Sequence, residues 1–201
     1  MIAIIDYGVG NLFSLESSLG FIGEDTIVTG DKDQIRRADK LILPGVGAFE
    51  DAIAKLKGTG LDQVVIEEAK KGKPLLGICL GMQMLFDESH EYGFHNGLGL
   101  IPGKVCALEE MIPAGLKIPH IGWNSLEIKK GKLYKYIKNG DFVYFVHSYA
   151  AVECEDSISA VTEYGTKITA SVEKENVFGM QFHPEKSGTV GLKILKAFCE
   201  L

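Results

Sequence analysis

Short apolar runs alternate with helix-like segments along the first part of the chain. The runs occupy residues 2–5, 26–28, 41–43 and 75–78, and the segments between them carry apolar residues at the spacing of one helix face. Strands made almost wholly of apolar residues are buried on both faces, and strands that alternate with helices form parallel sheets. This order therefore predicts a parallel sheet that is covered by helices on both sides.

The later part of the chain has a different pattern, because strand-like runs follow one another there. Runs at 141–147 and 167–172 are rich in aromatic and β-branched residues, and the polar segment 174–176 leads into an apolar run at 177–182. The last two runs have the spacing of a hairpin, and an amphipathic helix is expected at 190–198. We therefore expect an α/β fold with a mostly parallel central sheet, flanking helices and additional antiparallel strands in the second half.

Length and composition suit one domain that covers residues 1–201. Hydrophobic residues make up 46% of the chain and charged residues 24%, so an ordinary core needs neither disulfides nor a structural metal. The net charge of −6 argues against nucleic-acid binding, which needs a basic surface. No apolar run is long enough for a membrane span, and the N-terminus has the pattern of a strand rather than a signal peptide. A cytoplasmic protein without membrane contact is expected.

Motifs for metals and cofactors are weak in this sequence. The four cysteines stand far apart without a Cys-x-x-Cys pair, which indicates free thiols rather than a zinc site. The segment 6–11 resembles the start of a dinucleotide fingerprint, but Phe13 stands where a third glycine is needed. We therefore expect neither a metal nor a cofactor.

The most specific motif of the chain is Gly77-Ile78-Cys79-Leu80-Gly81. It follows an apolar strand and precedes a helix-like run at 82–86, as a nucleophile elbow does, with cysteine in place of serine. The start of a helix favours a thiolate and offers backbone N–H groups to an oxyanion. A buried cysteine between two packing glycines is the alternative for this motif taken alone.

A second motif, Phe182-His183-Pro184-Glu185, could supply the base that a thiolate nucleophile needs. His183 follows a predicted strand, and Glu185 is close enough in sequence to hold the far ring nitrogen across the rigid proline. The alternative is a surface His-Pro turn, and the elbow motif is what favours the catalytic interpretation.

The loop Pro44-Gly45-Val46-Gly47 ends one predicted strand and precedes a helix. Its backbone amides could point toward the elbow and supply a second donor to an oxyanion. An ordinary strand-to-helix turn is the alternative for this segment alone.

Taken together, these motifs resemble those of the class I, or triad, glutamine amidotransferases, and the resemblance implies the fold of that family. It implies a triad that attacks the side-chain amide of glutamine and releases ammonia, formed by Cys79, His183 and Glu185. It implies an oxyanion hole at Leu80, Val46 and Gly47. The positions that match the family's glutamine pocket are Gly45, Gln83, Ser148 and Tyr149.

A finer resemblance, along almost the whole chain, is to the glutaminase subunits of imidazole glycerol phosphate synthases of histidine biosynthesis. It rests on segments 6–11, 44–49, 77–83, 119–124, 146–149 and 181–187. The resemblance implies L-glutamine as substrate and a heterodimer with a TIM-barrel cyclase, which receives ammonia through an internal tunnel. That cyclase makes imidazole glycerol phosphate and an aminoimidazole carboxamide ribotide. The residues expected at the subunit interface are Asn11, His120, Trp123, Asn124 and Lys186.

The resemblance also implies that the isolated subunit is nearly idle. One cause would be a peptide in segment 44–47 that turns a carbonyl into the oxyanion site until the partner and its ligand bind. The proline and glycines of this segment make such a rotation sterically cheap.

Three other functions stay open on the sequence. The chain could serve another amidotransferase of the same fold, although the Pro44–Gly47 loop and the pair Trp123-Asn124 speak against it. It could be a stand-alone cysteine hydrolase, which needs no partner. It could also be a catalytically dead binding subunit, which would not need a complete triad.

Overall fold

Three β-sheets and six α-helices make up the chain, and the computed structural model describes residues 1–201. The strands are β1 (Ile2–Ile5), β2 (Thr26–Thr29), β3 (Lys40–Leu43), β4 (Leu75–Ile78), β5 (Phe86–Ser89), β6 (His95–Asn96), β7 (Ile101–Ala107), β8 (His120–Ser125), β9 (Glu127–Ile128), β10 (Phe142–His147), β11 (Tyr149–Val152), β12 (Ile158–Glu163), β13 (Lys167–Lys174) and β14 (Val177–Met180). The helices are α1 (Leu12–Phe21), α2 (Lys32–Arg37), α3 (Phe49–Gly58), α4 (Leu61–Lys70), α5 (Leu80–Met84) and α6 (Gly188–Cys199). Four short 3₁₀ helices lie at Leu108–Glu110, Lys132–Tyr134, Glu155–Ser157 and Pro184–Lys186.

The central sheet has eight strands in the order β2-β1-β3-β4-β14-β13-β12-β9. The five strands from β2 to β14 are parallel, and β13, β12 and β9 continue the sheet in antiparallel fashion. The hairpin expected around 174–176 is the β13–β14 pair. The prediction of a mostly parallel sheet with added antiparallel strands is therefore confirmed.

Both faces of this sheet are covered, because successive side chains of a strand point to opposite sides. Ala3 and Ile5 belong to a core that includes residues of α3 and α4, whereas Ile2 and Ile4 belong to a second core that includes residues of α1 and α6. All four residues of β1 are buried. Burial on both faces is the reason that these strands lack polar residues.

A second sheet has the strand order β11-β7-β5-β6. Its strand β5 begins where the sequence predicted the end of a helix, and that part of the prediction was wrong. The helix expected to run through 82–86 ends at Met84, and Phe86 is instead the first residue of β5. Phe86 is fully buried and pairs with Ile101 of β7. Apolar residues in so short a run fit a helix and a buried strand equally well, so sequence spacing could not separate the two.

The two remaining strands, β8 and β10, form an antiparallel ribbon whose last pair joins His120 to His147. The chain turns directly from β10 into β11, so segment 146–149 lies between the ribbon and the second sheet. Cys79 stands at the carboxyl end of β4, and the oxygen of Val146 lies 4.0 Å from its sulfur. The ribbon thus brings residues from the second half of the chain to the edge where the parallel strands end.

Candidate active site

Cys79 occupies a strained position between β4 and α5. Its backbone has φ 55° and ψ −114°, a conformation that residues with a side chain rarely adopt. Such a conformation costs on the order of 1–3 kcal/mol and persists only where the surrounding structure enforces it. The strained bend holds the side chain at the end of the strand, where it lines a pocket. This is the geometry expected of a nucleophile elbow.

The two glycines beside Cys79 are required by close packing of the backbone. A Cβ atom on Gly81 would lie 1.9 Å from the carbonyl oxygen of Leu43, and one on Gly77 would lie 2.7 Å from the oxygen of Gly81. Atoms at these separations overlap, so neither position accepts a side chain without movement of the main chain. The glycines of the motif thus allow β3, β4 and the first turn of α5 to pack tightly under the sulfur.

Parallel pairing of β4 with β14 brings His183 to Cys79. Met180 pairs with Ile78, and the amide of Cys79 donates to the oxygen of Met180 at 2.7 Å. The chain leaves β14 at the same edge of the sheet, and the amide of His183 donates to the oxygen of Tyr144 at 2.9 Å. Cys79 and His183 therefore line the same pocket although they are far apart in sequence.

Glu185 orients the ring of His183. Nδ1 of His183 lies 2.8 Å from Oε1 of Glu185, and each side chain is only 3% exposed. The hydrogen bond places a proton on Nδ1 and leaves Nε2 as the ring nitrogen available to Cys79. Oε2 of Glu185 is buried without a hydrogen-bond partner in the chain.

The charge state of His183 depends on Cys79 and Glu185. Burial by itself would lower the pKa of His183, but hydrogen bonds and charge attraction from Cys79 and Glu185 outweigh burial and raise this pKa to about 9. At pH 7, below that value, the imidazole is protonated when it faces a thiolate. An imidazolium can then deliver a proton to a leaving amine.

Most of the predicted site residues line one cavity of about 540 Å³ around the sulfur. Apart from Cys79 and His183, those that line it are Val46, Gly47, Leu80, Gln83, Ser148 and Tyr149. Gly45 does not line this cavity but lines a small adjoining one with Val46 and His183, and its role as a glutamine contact stays a prediction. A Cβ atom on Gly45 would meet the amide nitrogen of Gly81 at 2.7 Å, which shows that this glycine packs behind the elbow.

Gln83 lies one turn into the elbow helix and is held by two hydrogen bonds. Its Nε2 donates to the carbonyl oxygen of Tyr149 at 3.2 Å and to Oε1 of Gln181 at 2.9 Å. Both amide hydrogens are therefore used within the protein, and the side-chain oxygen is left as the free polar atom at the cavity.

Glu91 is a cavity residue that the sequence analysis missed. It is 8% exposed, and its Oε2 accepts from the amide of Phe49 at 2.8 Å. Burial raises the pKa of its carboxyl group, while the bond from Phe49 and the charge of His95 act in the opposite direction. Glu91 stands in a polar stretch without any motif, so no sequence signal distinguished it from surface residues.

His147 and His120 form a buried pair beside the cavity. Nδ1 of His147 lies 2.8 Å from the oxygen of Tyr149, a pure acceptor, so this nitrogen carries the proton. Nε2 of His147 then accepts from Nδ1 of His120 at 3.0 Å. Burial lowers the pKa of His147 to about 4 despite the bond to Tyr149, so the ring is neutral at pH 7.

The structure contradicts the prediction that His120 is a residue of the subunit interface. Its side chain is 3% exposed and stacks between Phe145 and Tyr164, with ring centroids 5.0 Å and 4.0 Å away. The alternation of β8 explains the difference, because His120 points inward while its neighbour Ile121 is 59% exposed.

The other predicted interface residues are at least partly exposed, and Asn11, Trp123 and Lys186 lie near His183 and Glu185. Trp123 is 55% exposed and packs beside Gly188, and Lys186 is exposed. Asn11 is partly exposed and lines a small cavity with His183 and Glu185. Asn124 is partly exposed, and its side-chain amide donates to the oxygen of Glu163 at 2.8 Å.

The structure contains neither a membrane-spanning helix nor a metal-binding cluster. No helix has the length and apolar character that crossing a bilayer would require. The chain has no cluster of three or more histidine, cysteine or acidic side chains arranged to hold a metal ion.

Known proteins that resemble this chain are glutamine amidotransferases and their subunits. The model of the glutamine amidotransferase class-I family matches residues 3–200. The imidazole glycerol phosphate synthase subunit HisH of Caldanaerobacter subterraneus subsp. tengcongensis is 55% identical, over 100% of this chain and 98% of that protein. The subunits of the same name from Oceanobacillus iheyensis and Bacillus cereus are 47% and 51% identical, covering 100% and 98% of this chain and 99% and 93% of theirs.

Solved structures share the fold at much lower identity. A structure described as glutamine amidotransferase has a TM-score of 0.77 at 19% identity and covers 100% of this chain and 98% of its own. The structure of PurLQS from Thermotoga maritima has a TM-score of 0.76 at 21% identity and covers 99% of this chain and 97% of its own. These likenesses concern the fold alone.

Replacement of Gly81 tests the packing of the elbow. We expect Gly81→Ala to lower the free energy of unfolding by about 3 kcal/mol, because the new methyl group overlaps the oxygen of Leu43. Gly58→Ala is the matched control, since a Cβ atom there meets nothing within 4 Å. Chemical unfolding of both variants provides the measurement, and equal stability of the two would show that the bend is not closely packed.

Proposed function

This chain belongs to the class-I glutamine amidotransferase family, and we propose that it hydrolyses L-glutamine with Cys79, His183 and Glu185 as the glutaminase subunit of an imidazole glycerol phosphate synthase. The observation that carries the role of these residues is the pairing of β4 with β14, which places the elbow sulfur and a carboxylate-held imidazole at one cavity. The relatives that bear the subunit's name match the chain over its full length at 47–55% identity.

The proposed reaction begins with attack by the Cys79 thiolate on the side-chain amide carbon of glutamine. The carbonyl oxygen becomes an oxyanion, and His183 protonates the nitrogen as the C–N bond breaks and ammonia leaves. The product is a glutamyl thioester on Cys79. Water then attacks the thioester while His183 accepts its proton, and glutamate departs as the thiolate returns. Glu185 keeps Nε2 directed at the reacting atoms throughout.

Backbone N–H groups stabilise the oxyanion in this scheme. Leu80 is the first residue of α5, so its amide has no acceptor within the helix and lies beside the sulfur. The second donor comes from segment 46–47, which lines the same cavity and is exposed to solvent. Gly47 has φ +90°, a value that glycine adopts easily, so the peptide before it can rotate at low cost.

The amino-acid end of glutamine binds at the opposite wall of the cavity. Its ammonium group needs a buried negative charge, and Glu91 is the buried carboxylate of this wall, whereas Glu109 at the rim is exposed. The side-chain oxygen of Gln83 is a second acceptor for the ammonium hydrogens. Segment 148–149 contacts the α-carboxylate.

A partner subunit takes up the ammonia. We propose that this partner is a TIM-barrel cyclase and that it docks on the face around Asn11, Trp123 and Lys186. Asn124, whose side chain turns toward His120 and Glu163, stays a sequence prediction for this interface. Trp123 supports this placement because an exposed aromatic side chain beside polar groups is typical of the anchor of an interface. The face adjoins His183 and Glu185, so ammonia released there has a short path into the partner.

Removal of the sulfur separates glutamine hydrolysis from synthesis. In complex with the cyclase, Cys79→Ala should abolish glutamine-dependent formation of imidazole glycerol phosphate, while free ammonia at alkaline pH still supports the wild-type rate. Product formation with each nitrogen source is the measurement. If the variant still used glutamine, Cys79 would not be the nucleophile.

Neutralisation of Glu91 tests the ammonium site. We expect Glu91→Gln to raise the KM for glutamine about 10- to 100-fold with little change in kcat, because a hydrogen bond to a charged group is lost while the acceptor for Phe49 is kept. Glu109→Gln is the matched control at the rim, and its KM should stay within about twofold. Similar values of KM for the two variants would contradict the assignment.

The rotation proposed for segment 46–47 predicts a dependence on the partner. The chain alone should form glutamate slowly, and addition of the cyclase with its nucleotide ligand should raise turnover at least about 100-fold, since one oxyanion donor supplies about 10²–10³ in rate. Equal turnover with and without the cyclase would instead indicate a stand-alone hydrolase with a permanently formed oxyanion hole.

A further inference from the structure

Gln181 is a buried residue next to the reacting sulfur that the proposed reaction leaves without a role. It follows the last residue of β14 and is 0% exposed. Its Nε2 lies 3.8 Å from Sγ of Cys79, and its Oε1 lies 2.9 Å from Nε2 of Gln83. One side-chain amide therefore connects the nucleophile to a residue that lines the substrate cavity.

The direction of this amide is fixed by a chain of hydrogen bonds that begins at a main-chain carbonyl. The oxygen of Tyr149 can only accept, so the amide nitrogen of Gln83 must face it, at 3.2 Å. That nitrogen also presents a hydrogen to Gln181, which must therefore turn its oxygen toward Gln83. Nε2 of Gln181 is then directed at Cys79 as a donor.

The N–H donor of Gln181 influences which groups can take the proton of Cys79. An N–H group stabilises a thiolate, and it cannot accept the proton of a thiol. The proton of Cys79 consequently has no acceptor on the Gln181 side and must pass to His183. The sulfur is also held from a second side, because His183 and Gln181 both follow β14 and contact it from different positions along the chain.

We propose that Gln181 is a positioning residue that donates a hydrogen bond to the Cys79 thiolate and holds Gln83 in its glutamine-binding orientation. The inference rests on the proposed function in one respect, the use of Cys79 as nucleophile. It adds a specific requirement: an amide, rather than any side chain of similar size, must stand at position 181. Gln181 thereby couples the orientation of Gln83, which lines the substrate cavity, to the reactivity of the sulfur.

Three other groups interact with the sulfur or line its cavity, and their charge states also affect how Cys79 titrates. Tyr7, after β1, has its pKa raised by burial and by the charge of Cys79, and its hydroxyl donates to the oxygen of Pro44 at 2.8 Å. His147, at the end of β10, is neutral at pH 7, and its pKa is lowered by burial. His183 with Glu185 supplies the only cation that is paired to the sulfur. None of these groups is altered by substitution at position 181.

The test is the pH profile of alkylation of Cys79 by iodoacetamide in the full-length chain, which needs no glutamine. Gln181→Met keeps the length of the side chain and removes the donor. The pH at which Cys79 becomes reactive should rise by about one unit in this variant, which means about tenfold less thiolate at a fixed pH below the midpoint. Cys79→Ala provides the blank for labelling of Cys106, Cys154 and Cys199.

Gln34→Met is the matched control, since Gln34 also makes a side-chain hydrogen bond, to Thr29, but lies on α2 and does not line the cavity around the sulfur. Its alkylation profile should equal that of the wild type. If Gln181→Met does not fold, as judged by thermal unfolding, Gln181→Leu, which is also uncharged and lacks the donor, carries the test. An unshifted profile in the folded variant would overturn the inference and leave the proposed function standing. Wild-type chain that forms no glutamate with the cyclase would instead overturn the proposed function.

Discussion

The parallel pairing of β4 with β14 is the contact on which the site depends. It joins a strand of the first half of the chain to the last strand, and the bond from the Cys79 amide to the Met180 oxygen, at 2.7 Å, lies at its end. Residues that follow the two strands must emerge side by side at the same edge of the sheet. The nucleophile follows one strand, and Gln181 and His183 follow the other. The sheet itself therefore sets the spacing of the groups that we propose to carry out the reaction.

Strain at Cys79 is the cost of this arrangement, and the glycines around it make that strain tolerable. The bend needs a backbone conformation that costs on the order of 1–3 kcal/mol, and the sheet contacts on both sides hold it in place. Gly77 and Gly81 allow β3 and α5 to approach the bend, and Gly45 fills the space behind it. At Gly47, by contrast, a Cβ atom would meet nothing within 4 Å, so this residue is free of steric restraint. Close packing beneath the sulfur is thus combined with open space at the proposed second oxyanion donor.

Sequence patterns predicted the fold and the members of the proposed triad because both depend on local signals. Apolar strands, the elbow motif and the His-x-Glu segment each have a recognisable spacing, and the parallel order of the sheet determines where they meet. The sequence failed where the outcome depends on tertiary packing. The short run after the elbow became β5, because pairing with β7 outweighed its helical spacing. His120 turned inward through the register of β8, and Glu91 and Gln181 acquire their significance only from neighbours distant in the chain.

The proposed reaction is tested most directly by identifying its covalent intermediate. The complex of the chain with its cyclase would be mixed with glutamine, quenched in acid after a fraction of a turnover, digested and analysed by mass spectrometry. We predict a glutamyl thioester on the peptide that contains Cys79, and loss of that adduct on longer incubation as glutamate accumulates. Glutamate formation with the adduct on another cysteine, or with no adduct under conditions that trap thioesters, would contradict the account.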